Sequence, residues 1–376
     1  MPQFAIDCRY VRERPSGIGA YVAALVDRLP AMAPEIQFTF WAHRLARRPL
    51  STAPNVAEVT VPLEPNSLWP LCWPERYASF DHVDLFHCPH NVLPRGLRCP
   101  SVVTIHDLMA LERPDLAFTH WDQIAKRFYY PRALTRALRK ATRLIAITSV
   151  TADRIVQLHP AARGRVVVIA QAAGPDFQPA PDRDAVRMQV AERIGSTAPY
   201  FLVVGQNSPS KRHGVAMEAF ARHVPEPWRL VLVQRQTHDH PLQKLAQSLG
   251  IEERITWIPH LDHVDLVRLY QCATALVHPS IYEGFGLPVI EAMACACPVV
   301  VSDIPTLREV VGEAGILVAP DDVDQLGREL VDLARSTPRQ QQLSGTALAR
   351  AGKFSWDRCA RETLAVLRDA AASAPA

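Results

Sequence analysis

No apolar run in this chain of 376 residues approaches the ~20 residues that a membrane-spanning helix requires. Any contact with a membrane is therefore expected from one side, without crossing. Charge imbalance is scarce too: 41 Lys and Arg against 38 Asp and Glu leave a formal net charge of +3, too small to imply a nucleic-acid partner. The eight cysteines, at Cys8, Cys72, Cys88, Cys99, Cys272, Cys295, Cys297 and Cys359, show no paired spacing of the zinc type and fall mostly in apolar runs. With no secretory leader pattern over Met1 to Val11, a reducing cytoplasm is the expected setting. The first strand is not followed by Gly-x-Gly-x-x-Gly: Gly17-Ile18-Gly19 lacks the third glycine and comes late, which argues against a nicotinamide-dependent dehydrogenase. What the chain does have is apolar content. Hydrophobic residues make up 48% and charged ones 21%, a globular composition long enough for two domains.

Strand-like and helix-like segments alternate in two blocks. The first runs through Gln3 to Asp7, the loop Pro15-Ser16-Gly17-Ile18-Gly19 with a helix carrying Tyr21, Leu25 and Leu29, then Gln37 to Trp41 and Val56 to Val61. A proline-rich connection through Pro62, Pro65, Pro70 and Pro74 leads to Asp84-Leu85-Phe86-His87-Cys88-Pro89-His90-Asn91 and Val102 to Leu108. Each of these two runs sets a histidine at the end of a buried strand. Leu144 to Thr148 and Arg165 to Ile169 close the block. Pro175, Pro179 and Pro181 then mark a linker, and the alternation restarts at Tyr200 and continues to a final helix with Ser355 at its N-cap. Alternation of this kind specifies parallel, doubly wound sheets. The expected plan is α/β, with one Rossmann-like domain over residues 1–175, a linker over 176–198, a second domain over 199–354 and a terminal helix over 355–376.

The most informative stretch is His278-Pro279-Ser280-Ile281-Tyr282-Glu283-Gly284-Phe285-Gly286-Leu287-Pro288-Val289-Ile290-Glu291-Ala292-Met293-Ala294, between the apolar runs Ala273 to Val277 and Pro298 to Ser302. Gly284 and Gly286 let the backbone approach a ligand, and Pro288 suits the first position of a helix. A helix N-terminus there holds anions, with Glu291 expected in its first turn and Glu283 in the loop before it. A second loop, Gln206-Asn207-Ser208-Pro209-Ser210-Lys211-Arg212-His213-Gly214, puts two cations at the carboxyl end of a strand, an arrangement suited to a diphosphate.

These residues resemble the Glu, seven residues, Glu motif of the retaining glycosyltransferases of family 4, and the resemblance extends from Ser16-Gly17-Ile18-Gly19 through His106-Asp107 to Phe354-Ser355-Trp356. The resemblance implies a GT-B fold, two Rossmann-like doubly wound parallel-sheet domains facing one another across a cleft, with the last helix returning to the first domain. It implies a nucleotide-sugar donor whose diphosphate meets Lys211, Arg212 and the backbone of Gly284, Phe285, Gly286 and Leu287. Glu291 is then expected on the ribose, Glu283 and His106 on the sugar, and Gly17 and Gly19 near the donor phosphates and the acceptor. The anomeric configuration is expected to be retained, with no metal and no other cofactor. The acceptor would be a saccharide or lipid-linked chain of cell-surface polysaccharide or O-antigen synthesis, with mannose from GDP-mannose the first guess. Residues near Gln234 to Gln236 and Trp257 to His260 are expected to read the base.

Three departures from the family pattern stand out: Ser210 where an arginine is common, Ala296 where glycine is usual, and Gln171-Ala172 where Asn-Gly is expected. Other readings are weaker. Glycosidase chemistry needs two acids flanking the bond, which the cationic loop argues against. A non-catalytic nucleotide-binding protein is opposed by His106, Lys211, Glu283 and Glu291 occurring together. Asp322-Val323-Asp324 opens a helix, where acids serve capping, and His238-Asp239-His240 lacks a third metal ligand at useful spacing. The segment Ile124 to Arg143 carries Lys126, Arg127, Arg132, Arg136, Arg139, Lys140 and Arg143 and no acid, with Pro131 expected to kink or restart it. It reads as a solvated basic face or, alternatively, as a dock for anionic lipid at the inner membrane surface, joined by Arg44, Arg47 and Arg48.

Overall fold

The computed structural model describes residues 1–12, 16–46, 49–62, 64–65, 82–118, 124–234, 241–259 and 261–373. Pro15, Arg47, Arg48, Pro70, Cys72, Pro74, Gln236, the His238-Asp239-His240 run and His260 lie outside them. The chain forms two compact units, Met1–Gln171 with Ser355–Ala376, and Ala172–Phe354.

In the first unit seven strands, β1 (Gln3–Asp7), β2 (Gln37–His43), β3 (Val56–Val61), β4 (Leu85–Cys88), β5 (Ser101–Ile105), β6 (Arg143–Ala146) and β7 (Val166–Val168), form a sheet in the order β3-β2-β1-β4-β5-β6-β7. All the pairings are parallel. The order reverses between β1 and β4, which makes that point the topological switch where α/β sheets bind ligands. Continuous apolar runs such as Val102-Val103 and Leu144-Ile145 are buried because helices cover both faces of such a sheet. The closing helix Trp356–Ala372, capped by Ser355 through Arg358 N, packs its buried Leu364 and Leu367 in this unit.

At the switch Asp7 is fully buried and accepts two bonds from the Arg9 guanidinium, at 2.8 and 2.6 Å, and one from His90 Nε2 at 2.9 Å. Burial alone would raise the Asp7 carboxyl, but the adjacent Arg9 charge, helped by His90, holds it well below the usual carboxylate range. Cys88 lies beside this group and donates its thiol hydrogen to Val92 O at 2.6 Å. Asp7, Cys88 and His90 are close enough to share an ion, yet Arg9 already occupies the acceptors of Asp7.

The second unit has six parallel strands, β8 (Tyr200–Val204), β9 (Arg229–Val233), β10 (Ile255–Ile258), β11 (Ala275–His278), β12 (Val299–Ser302) and β13 (Ile316–Val318), in the order β10-β9-β8-β11-β12-β13. Its switch point falls between β8 and β11. Residues 176–198 are not a bare linker: they carry the helix Arg183–Ile194, capped by Asp182 and ended by Gly195 at φ 69°. Only Val190 and Ile194 of that helix are buried, so its sequence shows almost no apolar stripe to betray it.

Pro131 does not restart the basic segment, which is one continuous helix over Ile124–Lys140. Its cations divide. Arg136 turns inward to the carbonyls of Leu93 and Pro94, at 2.6 and 2.9 Å, and Arg143 pairs with Asp369 at 2.7 Å. Lys126, Arg127, Arg132, Arg139 and Lys140 stay exposed beside Phe128, which is 61% exposed.

Replacing Asp7 with alanine leaves the Arg9 guanidinium buried without its carboxylate. The expected loss is about 3–5 kcal/mol of stability, read from urea unfolding of the variant against wild type; a loss below about 1 kcal/mol would contradict the burial of this pair.

Candidate active site

The two informative loops leave neighbouring strands at the same edge of the second sheet. β8 ends at Val204, and its loop passes through the short 3-10 turn Pro209–Lys211 into the helix His213–His223. β11 ends at His278, and its loop runs into the helix Leu287–Ala294. Because β8 and β11 are paired in register, the loops meet: Ile281 N donates to Ser210 O at 2.8 Å. Ser210 is accordingly buried, its hydroxyl 3.0 Å from that of Ser208.

That meeting brings Lys211 Nζ onto Glu283 Oε1, which His278 Nε2 also approaches at 2.7 Å. Ser280 Oγ lies 3.2 Å from the same imidazole nitrogen. Burial works to raise the Glu283 carboxyl, but the Lys211 charge and then the His278 contact overcome it and hold the group far below the ordinary range. Glu283 is therefore a buried carboxylate that stays ionised at every physiological pH.

Glu291 is the fifth residue of the helix Leu287–Ala294, one residue later than the sequence suggested and so just past the first turn, and Pro288 is the second residue and not the first. Gly286 precedes the helix at φ 89°, where an added Cβ would come within 2.9 Å of Leu307. Glu291 Oε2 accepts from the Tyr270 hydroxyl at 3.2 Å, and among the described residues no cation pairs with it. Burial pushes its carboxyl up to about 7, while the Tyr270 bond pulls the other way. Glu283 and Glu291 thus share one helix-entry segment but differ in charge state.

Other expected residues fall differently. Arg212, in the left-handed region at φ 52°, does not join Lys211 at Glu283 but pairs with Asp321 at 2.9 Å. Phe285 is buried edge-on against Phe354, with ring centroids 5.8 Å apart, so only its backbone is left for a ligand. Asp322 caps the helix Val323–Arg335 through Gln325 N at 2.8 Å, and Asp324 meets His223 at 2.9 Å. Ala296 stands at φ 56° and ends the helix Leu287–Ala294 in a left-handed turn closed by Cys297 N on Ala292 O at 2.9 Å, which explains why glycine is usual there.

In the first unit His106 follows β5 and is buried. Its Nε2 lies 2.9 Å from Pro89 O and its Nδ1 3.2 Å from Gln171 Nε2, while its backbone N donates to Asn91 Oδ1 at 2.7 Å. The Tyr21 ring meets the imidazole edge-on at 5.1 Å. Burial lowers the imidazole to about 4. Asp107 serves the short helix Met109–Glu112, accepting from Met109 N at 3.0 Å. Gly19 is a packing glycine: a Cβ there would fall 2.6 Å from Tyr10 O. Gly17, the first residue of the helix Gly17–Val26, is exposed. Sequence reasoning assigned no role to His278, Tyr270 or Asn91, and their signal was faint: each is an ordinary polar residue until a strand end sets it beside a partner.

The chain is similar to known proteins over most of its length. Residues 15–173 match the model described as Glycosyltransferase Family 4, and residues 187–349 match that of Glycosyl transferases group 1. The chain belongs to the glycosyltransferases that combine these two domains. It is 28% identical over 369 residues to an O-antigen chain mannosyltransferase B of Escherichia coli, covering 93% of this chain and 95% of the relative. Its fold is similar to that of a sucrose-phosphate synthase from Thermosynechococcus elongatus, with a TM-score of 0.78 at 19% identity and 100% of both chains covered. It is also similar to Anabaena HepE solved with UDP and glucose, with a TM-score of 0.73 at 18% identity over 98% of this chain and 100% of that one. These are two-domain, parallel-sheet GT-B folds, the class expected from the sequence.

Glu291 gives a pH test. Its folded carboxyl titrates near 7 and its unfolded one near 4.5, so the folded state keeps a proton that the unfolded state has lost between those values. The stability this supplies is complete below about pH 4.5 and disappears as the pH rises through 7. Glu291→Gln cannot ionise and is expected to gain on wild type by on the order of 3 kcal/mol between pH 4.5 and 7.5, measured by urea unfolding. A gap independent of pH would show that Glu291 ionises normally.

Proposed function

We propose that the chain is a retaining, nucleotide-sugar-dependent hexosyltransferase of cell-surface polysaccharide synthesis. The observation that carries this reading is the Lys211, Glu283 and His278 cluster, set at the switch point of the second sheet beside a helix N-terminus. A departing nucleoside diphosphate concentrates negative charge on its leaving oxygen, and preorganised donors at that place give the largest part of the rate enhancement. The Lys211 ammonium has three donors, so it can keep Glu283 and still meet a phosphate oxygen. Helix Leu287–Ala294 adds its positive end through the backbone from Gly284 to Leu287. Glu283, permanently charged, accepts from sugar hydroxyls and favours positive charge on the ring; Glu291, with Tyr270, receives the ribose. The acceptor hydroxyl attacks on the face that the diphosphate leaves, which keeps the anomeric configuration.

The O-antigen mannosyltransferase relative supports mannose as the sugar and a growing saccharide, free or lipid-linked, as acceptor. The UDP complexes of a structural neighbour support a nucleotide-linked donor. GDP-mannose is the donor to try first. No metal and no further cofactor enters this mechanism. The exposed cations of the helix Ile124–Lys140, with Phe128 among them, suit the anionic face of a membrane, and no described helix is long and apolar enough to cross one. The cytoplasmic side of the inner membrane is the setting we propose.

Glu283→Gln and Lys211→Ala are each expected to lower sugar transfer by about 10²–10³-fold in kcat, by analogy with loss of a charge-stabilising donor. Wild-type rates in both variants would refute the site. A melting-point screen over GDP, UDP, dTDP and ADP identifies the base, and absence of any shift together with absence of turnover would remove the donor proposal. For the membrane reading, wild type is expected to sediment with anionic vesicles at low salt, and a variant with Lys126, Arg127, Arg132, Arg139 and Lys140 changed to glutamine is expected to stay in solution. Equal recovery with neutral vesicles would remove this reading.

A further inference from the structure

Gln171 ends the Met1–Gln171 segment of the first unit and is buried, and it replaces the asparagine expected at this place in the chain. We propose that Gln171 is the positioning residue that fixes the His106 imidazole in its neutral, Nε2–H form. The role rests on the proposed transferase reading together with the expectation from the family resemblance that His106 meets the sugar. A carbonyl can only accept, so the 2.9 Å contact between Nε2 and Pro89 O requires the hydrogen on Nε2. A neutral ring then has a bare Nδ1, and the partner there must donate. The Gln171 amide nitrogen, 3.2 Å away, is that donor. The Asn91 carboxamide oxygen accepts from the backbone N of His106, and the Tyr21 ring braces the imidazole edge-on, so ring, backbone and proton are all fixed.

The surroundings agree. The Tyr21 ring from the helix Gly17–Val26 packs on His106, the charge of His90 disfavours a second charge on the ring, and among the described residues no carboxylate pairs with it. A cation there would have nothing to balance it. His106 therefore presents the sugar with a hydrogen-bond donor shared with Pro89 O and does not act as a base.

Replacing Gln171 with glutamate turns the donor into an acceptor, which asks for a hydrogen on Nδ1 as well and makes the ring an imidazolium. An opposite charge at this range raises a titration by about 1–3 units, bringing His106 from about 4 into the window of about pH 5–7. Methionine of similar length removes the bond without adding charge. The experiment follows the ring nitrogens of the full-length, 15N-histidine-labelled protein by long-range 1H–15N correlation between pH 5 and 8, with the His106→Gln spectrum assigning the resonance. Wild type is expected to show one protonated nitrogen throughout. In Gln171→Glu both nitrogens become protonated as the pH falls, whereas in Gln171→Met the ring stays neutral. Transfer rates supply the second readout. The Gln171→Glu rate relative to wild type is expected to fall by about 10-fold from pH 7.5 to 5.5, in step with that titration, while the Gln171→Met ratio stays flat.

A His106 ring that titrates identically in wild type and Gln171→Glu overturns the positioning role. A ring that becomes charged with no pH-dependent change in rate overturns instead the placing of His106 on the sugar. If Gln171→Glu unfolds, the wild-type spectrum still decides, because an Nδ1–H tautomer would be incompatible with Gln171 as donor.

Discussion

A carboxylate withdrawn from water stays ionised only while neighbouring charge replaces the lost hydration, and the Lys211 to Glu283 contact does this for the second unit. Remove the ammonium and the carboxyl reverts toward the proton that burial favours. Glu291, further along the same segment, shows that alternative: it has a tyrosine hydroxyl in place of a cation, and its titration moves up to about 7. Two glutamates of one motif are driven to opposite states by a single difference in what stands beside them, which gives the site one fixed charge and one adjustable one.

Topology makes the contact available. In each sheet the strand order reverses once, between β1 and β4 and between β8 and β11, and the loops at those points carry most of the buried polar groups described above. The first unit answers with Asp7, Arg9 and His90 and, one strand over, His106; the second with Lys211, His278 and Glu283. Parallel strands send all their carboxyl ends to one edge, so residues 72 positions apart in sequence become hydrogen-bonded partners.

The fold was legible because strands stood out by apolar and β-branched residues: the buried Gln3–Asp7 and the largely uncovered edge strand Val56–Val61 both coincide with the segments expected from sequence. The helix Arg183–Ile194 was not, since proline and acidic residues around it suggested a linker and only two of its side chains are buried. In the site, Lys211 and Glu283 were identifiable as a cation and an acid on neighbouring loops, but sequence could not show that Arg212 turns to Asp321, nor that Phe285 points into an aromatic pair. Spacing along a chain names the strand end from which a side chain departs. Its direction depends on partners from distant segments. Ala296 is the instructive departure: the family glycine answers a left-handed backbone, and this chain accepts the same backbone with a methyl group.

The main-chain bond from Ile281 to Ser210 sits one residue from Lys211 and two from Glu283, so the loops are fastened twice over a short span. Two links in tandem behave as a chelate. When one opens, the other tethers its ends at high effective concentration, and rejoining needs no search. The architecture of this corner is therefore insulated from its chemistry: charge can be edited at either side chain while the peptide skeleton underneath keeps its registration.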